Sequence, residues 1–224
     1  MKLNKEQIQE IEYALNKRGL DYIDLKYELL DHIATDIEQL MTEDKTISFE
    51  EASNQAFDKW KDALKEYSSF WLGVANFGPK ILIKRTVSIL KKAQLKLLAY
   101  GVFIAGLLFF LIKIGFIGFT DSFMSVYGIF QYFIGAIFLV LFLTIRFSGY
   151  KTCYSFIYNV QIAPFLFYYI LFNYNLNFFV RPFEGGFADL INVFVQVEML
   201  LYPLFAYRVF KNHFKLRERK VSVS

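Results

Sequence analysis

Cysteine, histidine and catalytic signatures are what this 224-residue chain has least of, and each shortage removes a class of protein. The single cysteine, Cys153, excludes a disulfide scaffold and a thiolate metal cage. It falls in an apolar stretch and reads as a small buried or lipid-facing residue. The two histidines, His32 and His213, stand far apart. No HExxH, no GxSxG and no phosphate-binding glycine loop occurs, so nothing points to enzymatic chemistry, a metal or a cofactor. Met1 to Glu12 is polar and charged, which leaves no apolar core for a cleavable secretory signal.

Hydrophobic residues are plentiful. They make up 55% of the chain, with 27 Phe and 15 Tyr, more than a soluble core of this size can bury. Charge is distributed unevenly. Residues 1–79 hold 16 acidic and 9 basic residues, whereas residues 80–224 hold 5 acidic and 16 basic ones. An acidic, polar front and a basic, apolar back suit two environments, water and lipid. The expected architecture is an all-α polytopic membrane protein: an N-terminal cytoplasmic three-helix bundle followed by four transmembrane helices.

The front reads as three amphipathic helices. Asn4 and Gln7 make an N-cap pair, Ile8, Ile11 and Leu15 follow at helical spacing, and Gly19 ends the helix. From Asp21 to about Met41, Ile23, Tyr27, Leu30, Ala34, Ile37 and Met41 form one apolar stripe. Ser48 and Glu51 form a capping box with Ile47 as staple. The third inner face carries Phe49, Ala52, Ala56, Trp60, Ala63 or Leu64, and Tyr67. This bundle is assigned to residues 1–76, and Gly78-Pro79 marks the joint that follows.

Within it, Tyr27-Glu28-Leu29-Leu30-Asp31-His32-Ile33, then Ile37-Glu38-Gln39-Leu40-Met41, then Ser48-Phe49-Glu50-Glu51-Ala52 resembles a bacterial helical domain. That domain is heavily associated with anti-sigma factors, and the permease-prefix domain is similar to it. The resemblance covers roughly a third of the chain; where the family's turn carries glycine, Glu43-Asp44-Lys45 stands here. It implies a cytoplasmic, non-catalytic module linked to membrane signalling or transport complexes, and with it a bacterial inner membrane. Glu28, Asp31 and His32 are the candidate partner-binding residues. Glu28, His32 and Asp36 share a face at ligand-like spacing, but no second histidine or cysteine is near to complete a metal site.

Residues 77–96 form a basic connector. From Lys80 onward it either lies flat on anionic head groups, each charge contributing roughly 1 kcal/mol, or extends the first span into the cytoplasm. The apolar region 97–210 contains four stretches of about the ~20 residues that a crossing needs: 97–119, 123–145, 153–172 and 188–207. Lys and Arg gather before the first span, between the second and third, and in the basic tail 211–224, while the opposite connections have only Arg181. By the positive-inside rule both termini are cytoplasmic. The basic charges hug span ends with no aromatic-interleaved face, so a nucleic-acid partner is not expected.

Glu198 is the most informative single residue, because a carboxylate in mid-span must face protein or water, or be protonated. Lys113 lies toward the outer end of the first span and either snorkels outward or, being close enough in expected depth, reaches Glu198. Gln196 and Gln161 add intramembrane polarity, as do Gln131 and Asn159, and Gly101 with Ala105 is a small-xxx-small pair. Glu198 and Lys113 serve either as a proton, ion or substrate site or as a packing ion pair. The leading functional expectation is a regulatory or scaffolding subunit. Its partners would be the lipid bilayer and either other membrane subunits or further copies of itself. Two other readings stay open: a small oligomeric transporter using Glu198, and a membrane-anchored signalling module that binds a transcription regulator.

Overall fold

A computed structural model describes residues 2–116, 121–165 and 184–221, with side chains described outside 121–128 and 217–221. The chain is mostly helical. It forms two compact units: Met1–Ser88 with Gly149–Phe156, and Ile89–Ser148 with Ile157–Ser224. The first unit therefore runs past the expected boundary at residue 76 and takes in a segment from much farther along the chain.

In the first unit, α1 (Lys5–Lys17) opens on a reciprocal cap: Gln7 N donates to Asn4 Oδ1 and Asn4 N to Gln7 Oε1, both at 2.9 Å. Gly19, at φ 78°, takes the left-handed turn after it. Helix α2 (Ile23–Glu43) packs against both α1 and α3 (Phe49–Leu64). Because it is flanked on two sides, α2 buries Leu25, Leu29, Leu30, Ile33 and Ile37, a broader and rotated face compared with the expected stripe. Tyr27 is exposed. Helix α3 starts on the Ser48/Glu51 capping box, with Glu51 N donating to Ser48 Oγ at 3.2 Å. Its buried residues are Ala52, Ala56 and Leu64. Tyr67 lies outside the helix, on the first strand of a short hairpin, so it leaves the expected inner face.

That hairpin pairs β1 (Glu66–Ser68) antiparallel with β2 (Phe77–Pro79), with Tyr67 opposite Gly78. A 3₁₀ turn at Phe70–Leu72 and Gly73, at φ 85°, shape the connection between the strands. An ordered hairpin thus stands where the sequence predicts a plain joint.

No side chain caps the N-terminus of α2, and segment 149–156 supplies the missing acceptor. Ile23 N donates to the Lys151 carbonyl at 2.9 Å, and Lys151 pairs with Asp21. In return, Asp24 accepts from Cys153 N at 3.0 Å, at the start of α6 (Cys153–Ile157). Thr152 and Ser155 cap that short helix reciprocally. Cys153 is buried in the same core as α1–α3.

Helix α4 (Lys80–Lys113) is one continuous helix of 34 residues, about 51 Å long. Lys80–Lys96 is therefore the N-terminal half of that helix. It ends at Lys113, with Gly115 (φ 75°) in the closing turn, so it stops short of the expected limit at Phe119. Helix α5 (Asp121–Arg146) contains the expected second span. The expected third span begins as α6, continues through a π-helical turn at Tyr158–Ile162, and then passes outside the described residues. Most of the outer connection 173–187 lies outside them too. Helix α7 (Phe187–Val221) contains the expected fourth span, passes through Pro203 and carries the expected basic tail as helix up to Val221. Among the described residues, three helices are long and apolar enough to cross a membrane, within α4, α5 and α7.

Candidate functional site

The second unit buries Gln131, Asp189 and His213 beside a larger apolar set that includes Phe138, Tyr158 and Val197. Gln131 on α5 is fully buried, four and seven residues before Gly135 and Phe138 on the same face. Tyr158 in the π turn is fully buried, and its hydroxyl has no hydrogen-bond partner among the described residues. A π turn widens the helix by one residue and often marks a functional position. Tyr202 on α7 stacks on Phe165 at 3.8 Å and donates its hydroxyl to the Gln161 carbonyl at 3.4 Å. Gln161 is thus brought to α7, through its backbone.

Glu198 packs against α4 at Gly101. A Cβ built on Gly101 would fall 1.8 Å from Glu198 Oε1, 2.8 Å from its Cδ and 3.3 Å from Phe194 Cε2. Gly101 and Ala105 are both buried, so the small-xxx-small face is used inside the chain. Glu198 Oε1 is buried without a hydrogen-bond partner among the described residues.

Of the two positions open to Lys113, outward or toward Glu198, the second is not taken. The methylenes of Lys113 lie against Gly185, where a Cβ would be 3.7–3.8 Å away. Lys113 is twelve residues beyond Gly101, about 18 Å along α4. The expected depth match assumed that each helix ends where its apolar run ends. In fact α4 begins and α7 finishes well beyond those runs, and their register follows the notch at Gly101. Gln196 is half-buried on α7.

On the first unit, Glu28, Asp31 and His32 are all exposed. The His32 ring stacks on Trp60 at 5.9 Å. Asp36, instead of sharing a ligand face with His32, accepts from Trp60 Nε1 at 2.9 Å and pairs with Lys59 at 2.6 Å. Burial of Asp36 would raise its pKa, but the hydrogen bonds from Lys59 and Trp60 and the Lys59 charge outweigh it, so its carboxyl titrates below the usual range. Among the described residues no group of three His, Cys, Asp or Glu side chains is arranged to hold a metal ion.

The hairpin leaves little trace in the local sequence pattern. Tyr67 to Pro79 contains no Asp, Glu, Lys or Arg, an interruption in an otherwise densely charged front half. That gap was the available signal. The hairpin leaves Phe70 89%, Val74 65% and Phe77 57% exposed. Three large apolar side chains are thus left exposed within one short segment.

No family model matches the chain. No curated protein and no solved structure matches it either. Its functional reading therefore rests on these residues and their surroundings.

Proposed function

We propose that this chain is a non-enzymatic integral membrane subunit that regulates or scaffolds a membrane complex through protein contacts. In this reading residues 1–76 form a helical bundle in the cytoplasm and four helices cross a bacterial inner membrane. Both termini face the cytoplasm, as the Lys/Arg clusters at the span ends support. The letters shared with the anti-sigma-associated and permease-prefix domains support a module that works by binding other proteins.

The observation that carries the reading is the charge-free hairpin. Burying Phe70, Val74 and Phe77 would remove apolar surface from water at about 25 cal/mol per Å². Nothing in the hairpin's own two strands uses these side chains. The test is purification of the full-length protein in mild detergent. The wild type is expected to elute with a stoichiometric protein partner or as a homo-oligomer. The double variant Phe70→Ser/Phe77→Ser is expected to elute alone with unchanged thermal stability. Recovery of the wild type as a lone monomer would overturn the proposal.

A further inference from the structure

Glu198 occupies one of the two places, Gly101 and Gly106, where α4 offers no side chain. The carboxyl lies in the space that any residue larger than glycine at position 101 would fill. Its Oε1 is sealed from outside and accepts no hydrogen bond from a described residue. Among the described residues the surroundings bring no compensating charge. Helix α4 has no charged residue from Leu97 to Ile112, and Lys113 is held at Gly185. The buried face of α5 carries Gln131 and Phe138. Tyr202, four residues along α7, is half-buried and donates its hydroxyl to the Gln161 carbonyl. An ionised carboxylate alone among lipid-crossing helices costs several kcal/mol. Among the described residues none supplies its neutralising charge, which leaves a proton or a cation taken up from solution.

The geometry points to Glu198, seated in the Gly101 notch, as an exchange site for one positive charge, a proton competing with a monovalent inorganic cation. A single carboxylate balances one such charge. A divalent ion would need a second acid beside it, whereas Asp189, a buried acid on the same helix, stands nine residues away, about 14 Å along α7, with its carboxylate accepting from Glu184 N and Gly186 N. The inference rests on these helices crossing lipid and is independent of the hairpin.

The test is labelling of the full-length protein in phosphatidylcholine nanodiscs with dicyclohexylcarbodiimide. The reagent attacks only the protonated acid: the carboxyl oxygen bonds to the carbodiimide carbon, one C=N becomes C–N, and the acid proton moves to nitrogen. Mass spectrometry should find the adduct on Glu198. Labelling should fall about tenfold for each pH unit above the carboxyl's own pKa. Sodium or potassium chloride should protect Glu198, whereas choline chloride at equal ionic strength should not. Gly101→Ala, which pushes the carboxyl out of the notch, should keep the adduct and weaken that protection. Glu198→Gln controls for labelling elsewhere. Absence of a Glu198 adduct at every pH would overturn the inference. Equal labelling in choline, sodium and potassium, or unchanged protection in Gly101→Ala, would do the same.

Discussion

The first unit buries Ile11, Leu15, Leu20, Leu29, Ile33 and Ile37 and pairs charges at its surface, as in Lys26–Glu12 and Lys59–Asp36; the second buries Gln131, His213 and one oxygen of Glu198 while leaving Phe103, Ile129 and Leu204 exposed. The same helical backbone is thus used with opposite chemistry outward. In water, the hydrophobic effect selects the apolar side chains for the interior. Between helices that lie in lipid that force is absent, so small residues and polar contacts decide which faces meet. His213 shows the second pattern: it sits in a basic, tail-like sequence, yet its ring is buried with Nε2 3.0 Å from Ser148 Oγ.

If this contrast is right, equivalent substitutions should have opposite consequences in the two units. The largest effect is expected from Ile33→Ala. Ile33 is fully buried in the core that α1, α2 and α3 share, and truncation there should cost about 4 kcal/mol, from lost transfer energy and an unfilled cavity. Hydrogen exchange on the reconstituted full-length protein should show α1–α3 deprotected with α5 and α7 unchanged. Deprotection of both regions together would mean that the two units unfold as one, and the contrast would fail.

Much of the first unit was legible because helical period is a strong signal when one face is polar. The caps at Asn4/Gln7 and Ser48/Glu51 were readable for the same reason: each needs two specific side chains at fixed spacing. What escaped was set by distant chain. Segment 149–156 caps α2 from more than a hundred residues away, and no local pattern announces that. In the second unit hydropathy located the apolar helices but not their register. With nearly every face apolar, nothing in the sequence shows which side of α7 meets α4, and the Glu198–Lys113 pairing fails on that point. The decisive feature was an absence, the missing side chain of Gly101. The hairpin was overlooked because its signal, an uncharged interval, has neither the period of a helix nor the length of a span.

The next effect in size compares two exposed phenylalanines under one substitution. Phe103 on α4 is 73% exposed and Phe70 on the hairpin 89%. If α4 crosses lipid, Phe103→Asp should oppose insertion by roughly 3 kcal/mol. Phe70→Asp should leave insertion untouched while abolishing partner retention. Alkaline extraction of membranes distinguishes them: Phe103→Asp should shift protein to the soluble fraction and Phe70→Asp should not. Identical behaviour of the two variants would remove the grounds for assigning the units to different solvents, and with them the neutralisation argument at Glu198.

The smallest effect tests whether surface charge in the first unit behaves as it does in any water-exposed domain. Asp36 has a folded-state pKa below its ordinary value because Lys59 and Trp60 donate to it against the opposing effect of burial. A depressed pKa means that the ionised form is favoured in the folded state. The resulting stability is fully present above the unfolded-state pKa, near 3.9, and is lost as pH falls through the folded value. Asp36→Asn should therefore cost about 1 kcal/mol at neutral pH, chiefly through the charge-assisted contacts. The wild type and the variant should converge in thermal stability as the pH is lowered through that window. Lys59 is 64% exposed, so added salt should also narrow the gap. A difference that persists undiminished in acid would assign the effect of Asp36 to shape and packing against Trp60, with the carboxylate charge contributing nothing.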